Sequence, residues 1–275
     1  MSNIPKVINY FWFGGNPLPE EAKKCIASWS KFLPDYKIKR WDESNFDLSS
    51  CEYMEEAYKA KKWAFVSDYA RIAVLAKHGG LYFDTDMELI KPIDDIIQEG
   101  SFINLEKIFN GEQAPGMSAM GVVPHLELFE SLVNIYKKRH FILNNGTYDE
   151  TPIGSYVNKI LIEKRVSFSD QVTRWDEINF YPARFFSPMT FEDGRLALKD
   201  DTRAIHHYAA SWHDDEEKKA TKKVQKITRL FGKKIGRSSH RIIFGWISIK
   251  KTYKSNGLAP TISFIRKKLK RESKE

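Results

Sequence analysis

The chain has 275 residues, of which 42% are hydrophobic and 29% charged, and its formal net charge is +8. Such a chain can bury a sizeable core, and its composition excludes a collagen-like, low-complexity or wholly disordered polypeptide. Two cysteines, Cys25 and Cys51, are too few for a disulfide framework and read as small buried hydrophobes of an intracellular protein.

The segment from Lys6 to Phe13 is β-branched and aromatic and ends at Gly14-Gly15, so it predicts a buried first strand. Pro19 to Phe32 carries apolar residues at Ala22, Cys25, Ile26, Trp29 and Phe32, a helical period. Tyr36 to Trp41 alternates like a strand, which completes a β-α-β opening of an α/β sheet. Ser50–Ala60 and Ala64–Lys77 predict two helices, with Gly79 as the C-terminal stop of the second. Leu81–Asp84 predicts a short buried strand. Further on, Ser101–Leu105 and Ser118–Val123 are candidate strands, and His125–Lys138 and Ile153–Glu163 candidate helices. Residues 165–200 read as short strands and turns, and Thr202–Tyr208 as a last strand.

Charge is distributed unevenly. Residues 218–275 hold 19 Lys and Arg against two Asp and Glu, whereas residues 1–217 hold 25 against 34. The expected organisation is therefore one folded domain over 1–215 and a basic, amphipathic helical segment over 216–275. The basic residues of that segment interleave with Leu230, Phe231, Ile242, Trp246 and Tyr253, a pattern that suits an anionic membrane surface, with a solvated, partly disordered tail as the alternative. No nucleic-acid-binding module accompanies the charge, so no nucleic-acid partner is expected. The first six residues lack the features of a signal peptide. No run approaches the roughly 18 apolar residues of a membrane span. A cytoplasmic protein, peripheral on the inner face of the cell membrane, is the expectation.

Chemistry is concentrated around Asp84-Thr85-Asp86, just past the strand Leu81-Tyr82-Phe83. Residues i and i+2 of a strand share a face, so two carboxylates are expected to aim at one point. Hard oxygen ligands with open positions suit Mg²⁺ or Mn²⁺ carrying substrate phosphates. Asp68 and Arg71 lie three residues apart on the preceding helix and share a face. They read either as a surface ion pair or as a functional pair inside a mostly apolar helix. Trp12 sits at the carboxyl end of the first strand, where open α/β sheets bind ligands, and reads as a core residue or a base-stacking one. His206-His207 closes the last strand, and alternation points one of the two inward.

Taken together these segments resemble the family 32 glycosyltransferases. The matching residues are Ile4–Ile8, Trp12-Phe13-Gly14-Gly15, Trp29, Pro34-Asp35-Tyr36, Trp41, Ala64–Arg71, Gly79–Asp86, Ile205–His207 and Ser211-Trp212. The family includes bacterial capsular enzymes and the yeast initiating α-1,6-mannosyltransferase, and it is related to the clostridial glucosylating toxins. The resemblance implies a GT-A α/β fold, with a central mixed, mostly parallel sheet flanked by helices. It implies a metal-dependent retaining hexosyltransferase using Mn²⁺ or Mg²⁺ and a nucleotide-sugar donor, a UDP-sugar in preference to GDP-mannose. The acceptor it implies is a lipid-linked glycan or growing polysaccharide. Carried over by position, it sets Trp12, with Phe13 and Gly14, against the nucleotide, and Asp68 and Arg71 on the donor sugar. Asp84 and Asp86 become metal ligands, with His207 favoured over His206 as the third. Tyr82 supports the site, and Ser211 and Trp212 close over the diphosphate. Where family members often carry Thr-Gly-Pro, this chain has Thr151-Pro152-Ile153-Gly154. A metal-dependent phosphohydrolase and a non-catalytic nucleotide-sugar-binding protein are the competing readings.

Overall fold

In the computed structural model the described residues are 4–108, 111–209 and 215–256. They fall into two units, one running to Met189 and resuming over Leu196–Ala209, the other made of Thr190–Arg195 and the C-terminal helix.

The first unit is built on a seven-stranded mixed sheet. Its strands are β1 (Val7–Phe11), β2 (Lys37–Trp41), β3 (Gly80–Phe83), β5 (Ser101–Lys107), β6 (Gln113–Val122), β7 (Thr173–Trp175) and β8 (Ile178–Tyr181), in the order β2-β1-β3-β6-β5-β8-β7. The pairings β1–β2, β1–β3 and β5–β8 are parallel, and β3–β6, β5–β6 and β7–β8 antiparallel. A separate two-stranded ladder joins β4 (Met87–Leu89) to β9 (Ala204–His206) in antiparallel register, Met87 opposite His206.

Strand alternation splits the core in two. Ile8, Tyr10, Leu81, Phe83 and Phe102 face one layer, with Trp29 of α1 (Glu20–Phe32), Leu33 just past its end, and Ile96 and Ile97 of α4 (Asp94–Gln98). Phe11, Tyr82, Ile103 and Leu105 face the other layer. It holds Val66, Ala70 and Val74 of α3 (Trp63–His78) and residues of α2 (Glu52–Lys59), α5 (Glu127–Tyr136) and α6 (Ile153–Glu163). A short helix, α7 (Ala183–Phe186), follows β8. The α/β expectation, a mixed sheet flanked by helices, is met. Cys25 and Cys51 are both free and buried, as expected.

Two local features deliver the site. α3 reverses into β3 through Gly79 (φ 63°) and Gly80 (φ 103°), and a Cβ at Gly79 would come within 2.7 Å of Pro124 Cδ and the Val122 carbonyl. Only glycine fits there, so α3 and β3 run back to back with no slack. β4 is held from the other side by α1, whose Trp29 indole N–H donates to the Met87 carbonyl at 2.6 Å while the Ser28 hydroxyl accepts from Leu89 N–H at 2.9 Å.

The second unit contains the helix α8 (Asp215–Asn256), which breaks at Gly232 (φ 83°, ψ 168°). It is tied to the Thr190–Arg195 segment by Glu192, which pairs with Lys233 at 2.8 Å and Arg237 at 3.2 Å. No helix among the described residues is long and apolar enough to cross a membrane.

Candidate active site

β3 ends at Phe83, and the chain turns at once. Met87 N–H donates to the Asp84 carbonyl at 2.9 Å, closing Asp84-Thr85-Asp86 into a tight turn, while Asp84 N–H stays on the Ser118 carbonyl of β6. The two carboxylates therefore converge through a turn rather than through strand alternation. They meet at an imidazole that belongs to His206. Its Nε2 is 3.4 Å from Asp86 Oδ1 and 3.9 Å from Asp84 Oδ2.

The expectation of His207 is corrected on this point. β9 pairs His206 with Met87, directly after the aspartates, so His206 is the inward residue and is buried. His207, one position on, faces the opposite side and pairs with exposed Glu88 at 2.8 Å. A one-residue step along a strand reverses the face.

Asp68 and Arg71 are buried, which removes the surface-pair alternative. Arg71 Nη2 lies 3.2 Å from Asp68 Oδ1, and its Nη1 lies 3.3 Å from Asp84 Oδ1 and donates to the Met117 carbonyl at 3.0 Å. The guanidinium stands 4.8 Å from the Tyr82 ring centre, and the Tyr82 hydroxyl donates to Asp84 Oδ1. The second oxygen of Asp68 accepts from Ile153 N–H at the start of α6, at 3.2 Å. One arginine thus links the helix before the D-x-D turn to the turn itself.

Electrostatics separate the carboxyls. Burial raises the Asp84 pKa, with Arg71 opposing that rise, and burial likewise raises Asp68. Burial also pushes Asp86 upward, but His206 and the Ala209 N–H, 2.8 Å from Oδ2, outweigh it and hold Asp86 below the usual range. Burial works against a charge on His206, yet Asp86 and Glu106 raise it well above the ordinary imidazole value.

Trp12, Phe13 and Gly14 follow the end of β1. Trp12 is half-buried and donates its indole N–H to the Asn16 carbonyl at 2.6 Å. Phe13 is buried, with its ring 6.3 Å from Phe46. Gly14 N–H donates to Glu43 Oε1 at 2.5 Å. Ser211 and Trp212 lie outside the described residues.

The sequence reading missed Glu106, whose Oε1 lies 2.9 Å from His206 Nδ1 and accepts from the Ser118 hydroxyl at 2.8 Å. A carboxylate directly after the candidate strand Ser101–Leu105 was the available signal. It also missed Glu43, which braces the Gly14 turn.

Asp84, Asp86 and His206 offer ligand atoms that all lie within 4.8 Å of one another. Two carboxylates and one imidazole form a donor set that fits a hard divalent cation.

Residues 19–103 match the family model described as glycosyltransferase sugar-binding region containing DXD motif. The match takes in Asp68, Arg71, Asp84 and Asp86. An uncharacterized glycosyltransferase of Acanthamoeba polyphaga mimivirus is 33% identical over 116 residues, 39% of this chain and 45% of that protein. The inositol phosphoceramide mannosyltransferase 1 of Schizosaccharomyces pombe is 27% identical over 114 residues, 38% of this chain and 34% of that protein. The chain thus spans less than half the length of these relatives. Among solved structures, the PaToxG glycosyltransferase matches with a TM-score of 0.46 at 17% identity, over 59% of this chain and 70% of that one. Through residues 19–103, which carry Asp68, Arg71 and the Asp84-Thr85-Asp86 turn, the chain is similar to the glycosyltransferases whose sugar-binding region contains the DXD motif.

Proposed function

We propose that the chain is a metal-dependent, retaining, GT-A-type hexosyltransferase. It moves a sugar from a UDP-linked hexose or N-acetylhexosamine to a lipid-linked or growing polysaccharide acceptor in cell-surface glycan synthesis. The observation that carries this reading is the convergence of Asp84, Asp86 and His206 beside the buried Asp68–Arg71 pair. Asp84, Asp86 and His206 would hold Mn²⁺ or Mg²⁺. Such a cation supplies positive charge to the departing diphosphate as negative charge develops there. Arg71 holds Asp84 in place. Asp68, fixed by Arg71 and the Ile153 N–H, keeps lone pairs free to orient sugar hydroxyls. Trp12 borders the nucleobase. The acceptor hydroxyl attacks the anomeric carbon from the face the diphosphate leaves, and its proton passes to the leaving phosphate.

The test is a turnover screen with Mn²⁺ against UDP-glucose, UDP-galactose, UDP-N-acetylglucosamine and GDP-mannose. Metal-dependent UDP release from one donor, stimulated by a glycan acceptor, is the expected result. Turnover indifferent to any acceptor would favour a phosphohydrolase, and donor binding without turnover a binding protein.

The reading extends to a peripheral site on the inner face of the cell membrane. In α8 the exposed residues Ile235, Ile242, Trp246 and Tyr253 recur at intervals of seven, four and seven, which puts them on one line of a helix. Trp246 is 70% exposed. Lys234 and Arg241, also exposed, flank the line. An apolar line with cationic flanks suits an anionic lipid surface. The full chain is expected to float with phosphatidylglycerol vesicles and not with phosphatidylcholine ones. The double variant Ile242→Glu, Trp246→Glu should stay at the bottom of the gradient. Equal flotation of variant and wild type would refute membrane docking through this line.

A further inference from the structure

A histidine ligates a metal only through a ring nitrogen that carries no proton, and the other nitrogen decides which one that is. His206 has acceptors on both sides. Its Nε2 faces Asp84 and Asp86, and its Nδ1 faces Glu106 Oε1 at 2.9 Å. The ring can bind a cation at the aspartates only if its remaining proton stays on Nδ1.

Glu106 is itself held firmly. The Ser118 hydroxyl donates to the same Oε1 at 2.8 Å. That hydroxyl accepts from Asn104 Nδ2 at 2.9 Å, and Asn104 Oδ1 accepts from the backbone N–H groups of Ser118 and Ala119 at 3.0 and 2.9 Å. Space for the carboxylate comes from Gly116, where a Cβ would lie 2.4 Å from Glu106 Cγ. β5 and β6 therefore present one oriented carboxylate to a ring on β9, which belongs to a different sheet. Asp84 meets this support only through its backbone N–H, on the Ser118 carbonyl, and its carboxylate takes no part in holding Glu106.

We propose that Glu106 is the positioning residue for His206. It keeps the proton on Nδ1, fixes the ring plane, and leaves Nε2 as the lone pair that completes the Asp84–Asp86 site. This rests on the metal-site reading above. The bland alternative is a strut, in which the Glu106–His206 contact only joins β5 to β9. The two differ in what a near-isosteric change does. A Glu106→Gln side chain fills the same space and still hydrogen-bonds, but its amide can donate to Nδ1 and stabilise the wrong tautomer.

Mn²⁺ titration of the full chain with UDP present, followed by the electron paramagnetic resonance signal of free Mn²⁺, separates them. Glu106→Gln is expected to weaken Mn²⁺ binding about 10–100-fold, the range typical of partners to metal-bound histidines. Its metal-free melting temperature should stay within a few degrees of wild type. Ser118→Ala, which leaves both partners in place, should weaken binding in the same direction and less. Wild-type Mn²⁺ affinity in Glu106→Gln, or a lowered melting temperature with unchanged affinity, overturns the positioning role and leaves the metal site standing. No Mn²⁺ binding by the wild type overturns both.

Discussion

Asp86→Ala should leave a folded protein that has lost sugar transfer. Asp86 is held below the usual carboxylate range by His206 and the Ala209 N–H, so it is ionised throughout the working pH range and the substitution deletes a full negative charge. Charge stabilisation by a bound cation amounts to several kcal/mol, and about 4 kcal/mol corresponds to roughly 10³ in rate. Donor turnover should therefore fall by about 10³ or more, and Mn²⁺ should no longer bind. The structural loss is smaller. Asp86 accepts the Ala209 N–H and faces His206, which keeps Glu106 as a second carboxylate partner at 2.9 Å, so the main new cost is an orphaned polar group of about 1–3 kcal/mol, which a domain of ordinary stability survives. The sign of the pH effect follows from the lowered pKa. Asp86 contributes stability above its unfolded value of 3.8, and that contribution is lost as pH falls through the lower folded value. Wild type and variant should therefore converge in melting temperature in acid. A paired comparison sharpens the test, since His206→Ala should behave like Asp86→Ala and His207→Ala like wild type. Turnover of Asp86→Ala within threefold of wild type would sink the metal role of the turn.

The sequence carried the large elements well because each had a strong local period. α3, β1 and β3 lie within one or two residues of the expected bounds, and α6 coincides with them. β6 begins at Gln113, five residues before the expected start, because Pro115 and Gly116 disguise a strand. β4 was not foreseen at three residues, and its absence left no register by which to choose between the two histidines. The same limit applies to Glu106, which meets a residue 100 positions away through a contact that no local pattern encodes. Asp68 and Arg71 were visible as a pair. Their burial was not, since it depends on Tyr82, Met117 and α6 closing around them.

That closure makes Arg71→Leu the most damaging single change to stability in the site. Arg71 faces two carboxylates, Asp68 at 3.2 Å and Asp84 at 3.3 Å, and its side chain is 10% exposed. Leucine would leave both carboxylates without their cation and the Met117 carbonyl without a donor. Breaking a buried pair by removing one partner costs about 3–5 kcal/mol, against only about 5–15 kcal/mol for a whole domain. The urea midpoint should drop sharply, to the point where some of the protein is unfolded in buffer. Arg71→Lys keeps the charge but not the fork that spans two carboxylates and a carbonyl, so it should recover only part of the loss. The pH dependence identifies the cause. Burial raises the Asp68 pKa even with Arg71 beside it, and removing the arginine takes away the largest opposing influence. A folded-state pKa above the unfolded value means stability that is present at low pH and lost as pH rises through the folded value. The deficit of Arg71→Leu relative to wild type should therefore be smaller at pH 5 than at pH 8. A deficit that is equal at both pH values would assign the loss to packing instead of unpaired charge. A wild-type midpoint at pH 8 would show that the arginine does not hold the two carboxylates at all.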